Sequence, residues 1–155
     1  MKATQAEIHK YLGILEETAR RIEACAGGLD ERRLAQAPGK KGWSAVEILA
    51  HMRACEELWS FSIYAMLVQD KPVLPDLDER KWAKARHYTR LGFQHSFQAF
   101  ALQREELLNV LRELPFKDWE KTAIINGRTH SLFTQVRRMA LHETEHCRQI
   151  EALFK

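Results

Sequence analysis

The stretch from residue 131 to residue 150 reads SLFTQVRRMALHETEHCRQI. Its apolar residues recur at spacings of three and four, which is the period of one face of an α-helix. The pattern predicts a long amphipathic helix that begins near Thr129 or Ser131 and runs to about Leu153. The residues that share its apolar stripe are Leu132, Met139, His142, His146, Ile150 and Leu153. Two histidines therefore lie on the face that turns toward a protein core.

A second helix has an equally clear beginning in the motif SAVE at residues 44–47. This motif is a capping box, because the Ser44 hydroxyl can accept from the Glu47 amide and the Glu47 carboxylate can accept from the Ser44 amide. The helix is predicted to run to about Gln69, and Pro72 lies just beyond it. The residues that share its stripe are His51, Ala54, Leu58, Phe61 and Ala65.

Two further long helices complete the set. The first is predicted from Ala3 to Ala26, where Gly27 and Gly28 supply a helix stop. The other is predicted to begin at Phe93 and to end before Pro115. Residues 76–92 are predicted to form a short helix or a turn.

Strand-like alternation is nearly absent, and Thr122–Ile125 is the one candidate strand. Four long amphipathic helices predict an all-α, antiparallel four-helix bundle. A chain of 155 residues is expected to fold as a single domain over residues 1–155.

The composition argues against two classes of partner. The net charge is only +3, and the arginine pairs are scattered along the chain beside glutamates. A nucleic-acid binder usually gathers its basic residues on one face, so no nucleic-acid partner is expected. No apolar run approaches the roughly 20 residues of a membrane span, so no membrane partner is expected either.

The cysteines point to a reducing compartment. There are three, Cys25, Cys55 and Cys147, and no CxxC pair suggests a zinc finger. The chain begins Met1-Lys2-Ala3 without an apolar signal segment. A cytoplasmic protein with free thiols is therefore expected.

The histidines on the two inner stripes suggest a metal site. His142 and His146 are four residues apart, so both imidazoles lie on one helix face with roughly 6 Å of rise between them. His51 on the buried stripe of the second helix is the best third ligand, since facing helices supply the metal sites of bundles. Spacing alone leaves the alternative open that all three are hydrogen-bonded core histidines.

Two known motifs overlap this segment. HETEH at residues 142–146 matches HExxH of zinc proteases, in which Glu143 would be the general base. Only nine residues follow; none of them is His or Asp, and Cys147 directly adjoins His146 on the same helix, so a third protease ligand is missing. ETEH at residues 143–146 also matches half of a di-iron bundle site, but there is no second ExxH on an inner stripe. One metal ion is therefore favoured over a protease or a two-metal centre.

Two stretches together resemble the DinB-like (DNA-damage-inducible, YfiT-like) metal-binding four-helix proteins. GWSAVEILAH at residues 42–51 is similar to the family's W-S-x-x-E-x-x-x-H opening of the second helix. The segment from Gly127, through HETEHCRQI at residues 142–150, is similar to the family's last helix with its H-x-x-x-H-x-x-Q-I ending. The loop and helix spacings between them fit as well, so the resemblance covers nearly the whole chain.

The resemblance implies a fold, a ligand set and a chemistry. The fold would be an antiparallel bundle with a long crossover connection. The ligands would be His51, His142 and His146, with the remaining coordination positions open. Zinc or nickel is the expected ion, with iron or manganese as alternatives. Characterised relatives are mostly S-transferases or isomerases that use low-molecular-weight thiols, and some are suspected metal-dependent hydrolases.

Residues near the three histidines have possible supporting roles. Gln149 is a candidate to orient a ligand, and Glu47 is one turn before His51, although its capping role is favoured. Cys55 is either a fourth ligand or a small buried residue. Glu143 is a candidate general base that points about 100° away from the neighbouring ligand. Core or interface packing is favoured for the four tryptophans, Trp43, Trp59, Trp82 and Trp119, and Trp82 with its loop is also a candidate roof for a substrate pocket.

Three functions follow as hypotheses. The leading one is a metal-dependent thiol S-transferase, whose partners would be a small-molecule thiol and an electrophilic substrate. The second is a non-catalytic metal-binding or interaction module, which could act as a homodimer. The third is a metal-dependent hydrolase.

Overall fold

The computed structural model describes residues 3–155, so Met1 and Lys2 lie outside the described residues. The α-helices are α1 (Gln5–Ala26), α2 (Glu31–Leu34), α3 (Ala45–Val68), α4 (Glu79–Ala85), α5 (Phe93–Glu113) and α6 (Leu132–Leu153). The strands are β1 (Val73–Leu74), β2 (Thr122–Ile125) and β3 (Arg128–Ser131), and two 3-10 helices span Tyr88–Arg90 and Phe116–Glu120. The long helices α1, α3, α5 and α6 form the predicted four-helix bundle. Within residues 3–155, no helix has the length and apolar character needed to cross a membrane.

A long crossover separates the two central helices of the chain. Helices α3 and α5 pack side by side and run in the same direction. Two contacts show this: Arg53 binds Ser96 nearer the beginnings of the helices, and Glu56 binds Arg104 further along both of them. Two parallel helices cannot be joined by a short loop. Residues 69–92, which contain β1 and α4, return the chain along the bundle. This connection confirms the crossover that the family resemblance implies.

A three-stranded sheet closes one end of the bundle. Strand β2 has the bounds predicted for the candidate strand, and it pairs in parallel with β1 and antiparallel with β3. Asn126 and Gly127 form the hairpin turn with φ of 50° and 69°, as a type I′ turn requires. Helix α6 begins at Leu132 after the N-cap Ser131, and Thr129 lies in β3 rather than in the helix. The periodicity of the sequence did not indicate β3, because its four residues are all polar and show no alternation of apolar and polar residues. They form a strand because they pair with β2 across the hairpin.

Capping boxes define the beginnings of both histidine-bearing helices. In α3 the Ser44 amide donates to the Glu47 carboxylate at 2.8 Å, and the Glu47 amide donates to the Ser44 hydroxyl at 3.3 Å. In α6 Ser131 and Thr134 exchange the equivalent bonds at 2.9 and 3.1 Å. Each box satisfies two amides that would otherwise lack a partner. The helical register of the histidines is therefore set within one turn of the helix start.

An arginine connects all four long helices inside the core. Arg104 of α5 is 2% exposed, and it donates to the Leu15 carbonyl of α1 at 3.1 Å. It also binds both carboxylate oxygens of Glu143 on α6 and one oxygen of Glu56 on α3. Burial alone would lower the pKa of Arg104, but the two carboxylates hold it above its usual value. Burial raises the pKa of Glu56, although Arg104 counteracts this.

We predict that Arg104→Met destabilises the protein by about 3–5 kcal/mol, because it leaves two carboxylates buried without a counter-charge. The matched control is Arg112→Met, since Arg112 binds Glu16 at 2.7 Å on the surface. That change should cost about 0–1 kcal/mol. Urea unfolding of the two variants and the parent measures both values. Equal midpoints for the two variants would contradict the assigned role of Arg104.

Candidate metal centre

The histidines of α3 and α6 converge at one point. The Cys55 sulfur of α3 lies 3.9 Å from His142, and Trp59, one turn later, packs against Arg138, one turn earlier on α6, so the two helices run antiparallel. This arrangement places His51 opposite the other two histidines. The Nε2 atom of His142 lies 3.0 Å from Nε2 of His51 and 2.9 Å from Nε2 of His146. We call His51, His142 and His146 the histidine trio; one ligand atom from each lies within 4.8 Å of the others.

The environment keeps these imidazoles neutral. Burial, followed by the neighbouring His146, lowers the pKa of His51 to about 4. Burial and the two other histidines lower the pKa of His142 to about 3. Burial also lowers the pKa of His146, against a hydrogen bond to the Gln149 side chain that raises it. A neutral imidazole has a free lone pair on one ring nitrogen, which is the form that binds a metal ion.

The spacing of the trio fits a single ion. Two imidazole nitrogens bound about 2.0–2.1 Å from one ion lie roughly 2.8–3.4 Å apart, for angles between octahedral and tetrahedral. The two closest nitrogen pairs, at 2.9 and 3.0 Å, lie within that range. Lone pairs that face one another at such distances repel unless a cation or a proton lies between them. The donor set is nitrogen-only, which suits several divalent transition metals.

Gln149 and Cys55 both lie against the trio. The Nδ1 atom of His146 is 2.9 Å from the Gln149 side-chain oxygen, so this ring donates from Nδ1 and presents the Nε2 lone pair to the other histidines. The Cys55 sulfur lies 3.6 Å from Nε2 of His51 and 3.9 Å from Nε2 of His142. Burial raises the pKa of the Cys55 thiol, so the thiol is neutral unless a cation is beside it.

The two glutamates proposed from the sequence do not face the trio. Glu47 serves the capping box with Ser44, which is the role favoured from the sequence. Glu143 turns into the core, where both of its oxygens bind Arg104. The suggestion that Glu143 is a general base therefore needs correction, because its carboxylate is occupied and buried away from the pocket. The physical reason is the buried Arg104 guanidinium, which binds both carboxylate oxygens and holds Glu143 on the core side of α6.

Two tryptophans border the trio, although the sequence suggested only packing roles for them. Trp43 lies nearly parallel to His146, with 6.5 Å between ring centroids, and meets His51 edge-on at 5.4 Å. Trp59 meets His142 edge-on at 4.9 Å. The contact of Trp59 could have been predicted from its position in the sequence, because Trp59 lies eight residues after His51 on the same helix face. Trp43 precedes the helix, and only the loop conformation brings it to the site.

The suggestion that Trp82 forms a roof was wrong. Its indole nitrogen donates to Glu57 at 2.8 Å, and Glu57 also accepts from Tyr88, so Trp82 fastens α4 to α3. Trp82 is not among the residues that line the pocket above the histidines. Arg80, two residues earlier, lines that pocket instead.

An open pocket of about 670 Å³ lies over the trio. All three histidines line it, together with Trp43, Gln149, Arg80, Lys41 and several apolar side chains. Its size is within the usual range of small-molecule sites. The trio therefore lies at the base of an accessible cavity instead of under a filled apolar lid.

Comparison with known proteins agrees with this architecture. The family model of the DinB superfamily matches residues 14–150, so the chain belongs to this superfamily. Among solved structures, YfiT from Bacillus subtilis aligns with a TM-score of 0.87 and 14% identity, covering 98% of this chain and 88% of that one. YfiT is described as a probable metal-dependent hydrolase with an unusual four-helix bundle topology. No curated protein matches the chain.

We predict that the purified protein binds one divalent ion and that His142→Ala abolishes this binding. Removing a residue that only hydrogen-bonds a metal ligand typically lowers metal affinity about 10–100-fold, so removing the central ligand itself should lower it more. Elemental analysis after incubation with zinc or nickel measures the stoichiometry. His95→Ala is the matched control, because His95 is exposed on α5. A native stoichiometry near zero that added metal does not change would contradict the assignment.

We also predict that the metal-free protein loses stability as the pH falls from about 7.5 to 5. The pKa values of His51 and His142 are lowered in the folded state, so the unfolded chain binds more protons below about pH 6.5. Their stabilising contribution is complete above that pH and is lost on acidification. Urea unfolding in a chelator measures the loss. The loss of stability should be smaller in the double variant His51→Gln/His142→Gln. It should be unchanged in the control His87→Gln/His95→Gln, whose two histidines are exposed. Equal losses in the two double variants would contradict the prediction.

Proposed function

We propose that the protein is a metal-dependent S-transferase that joins a low-molecular-weight thiol to an electrophilic small molecule. The observation that carries the proposal is the convergence of three neutral imidazole nitrogens at the base of an open pocket. A filled, closed site would have favoured the non-catalytic alternative. The pocket volume of about 670 Å³ accommodates small substrates.

The histidine trio would hold the ion, with Gln149 keeping the His146 ring in the required tautomer. When bound, a divalent ion supplies positive charge that lowers the pKa of a thiol beside it. The thiol sulfur forms a bond to the electrophilic carbon of the second substrate. The leaving group departs with the electron pair of the broken bond, and the thiol proton passes to solvent. Trp43 forms one wall of the pocket beside the histidines.

The pocket suits a thiol better than water. A free thiol has a pKa of about 8.5, whereas bulk water has a pKa of about 15.7, so water needs far more help to ionise. Hydrolytic metal sites often add a carboxylate base for this purpose. None of the described residues that line the pocket is acidic, and Glu143 is held by Arg104. This difference favours thiol transfer over hydrolysis.

Metal-dependent hydrolysis is the second candidate. It is favoured by the likeness to YfiT, which is described as a probable metal-dependent hydrolase. At 14% identity that likeness concerns the fold, so the reaction must be tested directly. Zinc or nickel as the ion, a cytoplasmic location and a homodimer also stay predictions.

The test offers zinc-loaded and nickel-loaded protein a panel of small thiols with an activated aryl halide. Simple esters and amides are assayed in parallel. We expect a thioether product, identified by mass spectrometry, at a rate at least about tenfold above the uncatalysed reaction, a threshold well below the roughly 10⁶-fold at which typical enzymatic acceleration begins. His142→Ala should abolish the excess rate, and His95→Ala should retain it.

Ester or amide cleavage without thiol consumption would replace transfer by hydrolysis. Stoichiometric metal without turnover of any substrate in the panel would instead support the non-catalytic alternative.

A further inference from the structure

The pocket over the histidine trio has an uncompensated positive charge. Lys41 and Arg80 line it, and neither forms an ion pair with a carboxylate within residues 3–155. Glu79, the neighbour of Arg80, lies 3.6 Å from Arg138 and is partnered there. A bound divalent ion would add further positive charge at the base of the pocket. A cavity of this kind attracts anions, and its apolar walls strengthen the attraction.

Arg80 is held beside the site by an aromatic contact. Its guanidinium carbon lies 5.2 Å from the centroid of the Trp43 ring. Trp43 in turn lies nearly parallel to His146. A guanidinium packed against an aromatic ring keeps its hydrogen-bond donors free for another group, and it binds carboxylates and phosphates through two of them. Arg80, Trp43 and His146 therefore form a continuous series from the pocket rim to the histidine trio.

Apart from Gln149, which is bonded to His146, the rest of the pocket wall is apolar. Pro38 and Ile48 lie beside Trp43 in the lining, and Ala152 and Leu153 come from the end of α6. These side chains have no polar atoms that could form a hydrogen bond to a ligand. They suit the hydrocarbon part of a ligand, whose burial is favourable without specific geometry. The lining thus separates a cationic part from an apolar part.

We propose that this pocket selects a substrate with an apolar body and one oxyanion group, either a carboxylate or a phosphate. The oxyanion binds Arg80 and Lys41, while the apolar body packs against Trp43 and Ile48. The reacting group is then directed toward the histidine trio. This inference rests on the proposed function for the reaction, because it names the class of the electrophilic substrate.

The test measures ligand binding to metal-free protein, so that no carboxylate can bind through an ion. Isothermal titration compares phenylacetate, phenyl phosphate and neutral phenylacetamide, and Trp43 provides a fluorescence signal that Trp43→Phe removes. We expect at least one of the two anions to bind ten times more tightly than the amide. The tighter anion distinguishes a carboxylate from a phosphate substrate.

The decisive variants form a matched pair. Lys41→Ala/Arg80→Ala should weaken binding of the preferred anion at least tenfold. Lys40→Ala/Lys81→Ala removes the same charge from the adjacent exposed residues, which do not line the pocket, and should change binding less than twofold. Zinc stoichiometry, measured separately, should be the same in both variants.

Equal affinity for the amide and both anions would overturn the inference, and so would equal weakening in the two double variants. Selective anion binding together with a negative thiol-transfer assay would support the inference and contradict the proposed reaction. The two failures are therefore distinguishable.

Discussion

The buried guanidinium of Arg104 is the constraint on which the bundle depends. It joins α5 to the Leu15 carbonyl of α1, to Glu56 of α3 and to Glu143 of α6. A charged group taken out of water is tolerated only where its partners are in place, so the helices cannot slide past one another without a large cost. Glu143 follows His142 directly along α6. The contact that aligns α3 with α6 therefore also aligns the histidines that face each other across them.

This arrangement divides one short segment between two roles. In HETEH the histidines face the pocket, while Glu143 faces the core and neutralises Arg104. The same letters in a zinc protease would place the glutamate beside the metal ion. Here the helix packs against other helices on both sides, and a buried cation occupies the side that Glu143 faces. A motif thus acquires its chemistry from what surrounds the helix.

Much of the fold and part of the candidate site could be predicted from the sequence. The capping box at Ser44, the candidate strand Thr122–Ile125 and the long helices all appear in the structure. The helical spacing brings His142 and His146 together, and His51, the third ligand predicted from the apolar stripe of α3, lies against them. Strand β3, the position of Trp82 and the contribution of Arg80 could not be predicted, because each depends on a hairpin or a crossover whose path local patterns do not encode.

The sequence by itself determined where helices begin, which face of each is apolar and which histidines share a face. These features arise from hydrogen bonds and side-chain spacings within a few residues, so a single segment contains all that they require. Only the tertiary structure decided that Trp43 and Arg80 join the site and that Glu143 leaves it. Those outcomes depend on contacts between residues that are far apart in the sequence, which form only when all the helices are packed. The most important of these contacts are the ones that the buried Arg104 makes with its carboxylate partners.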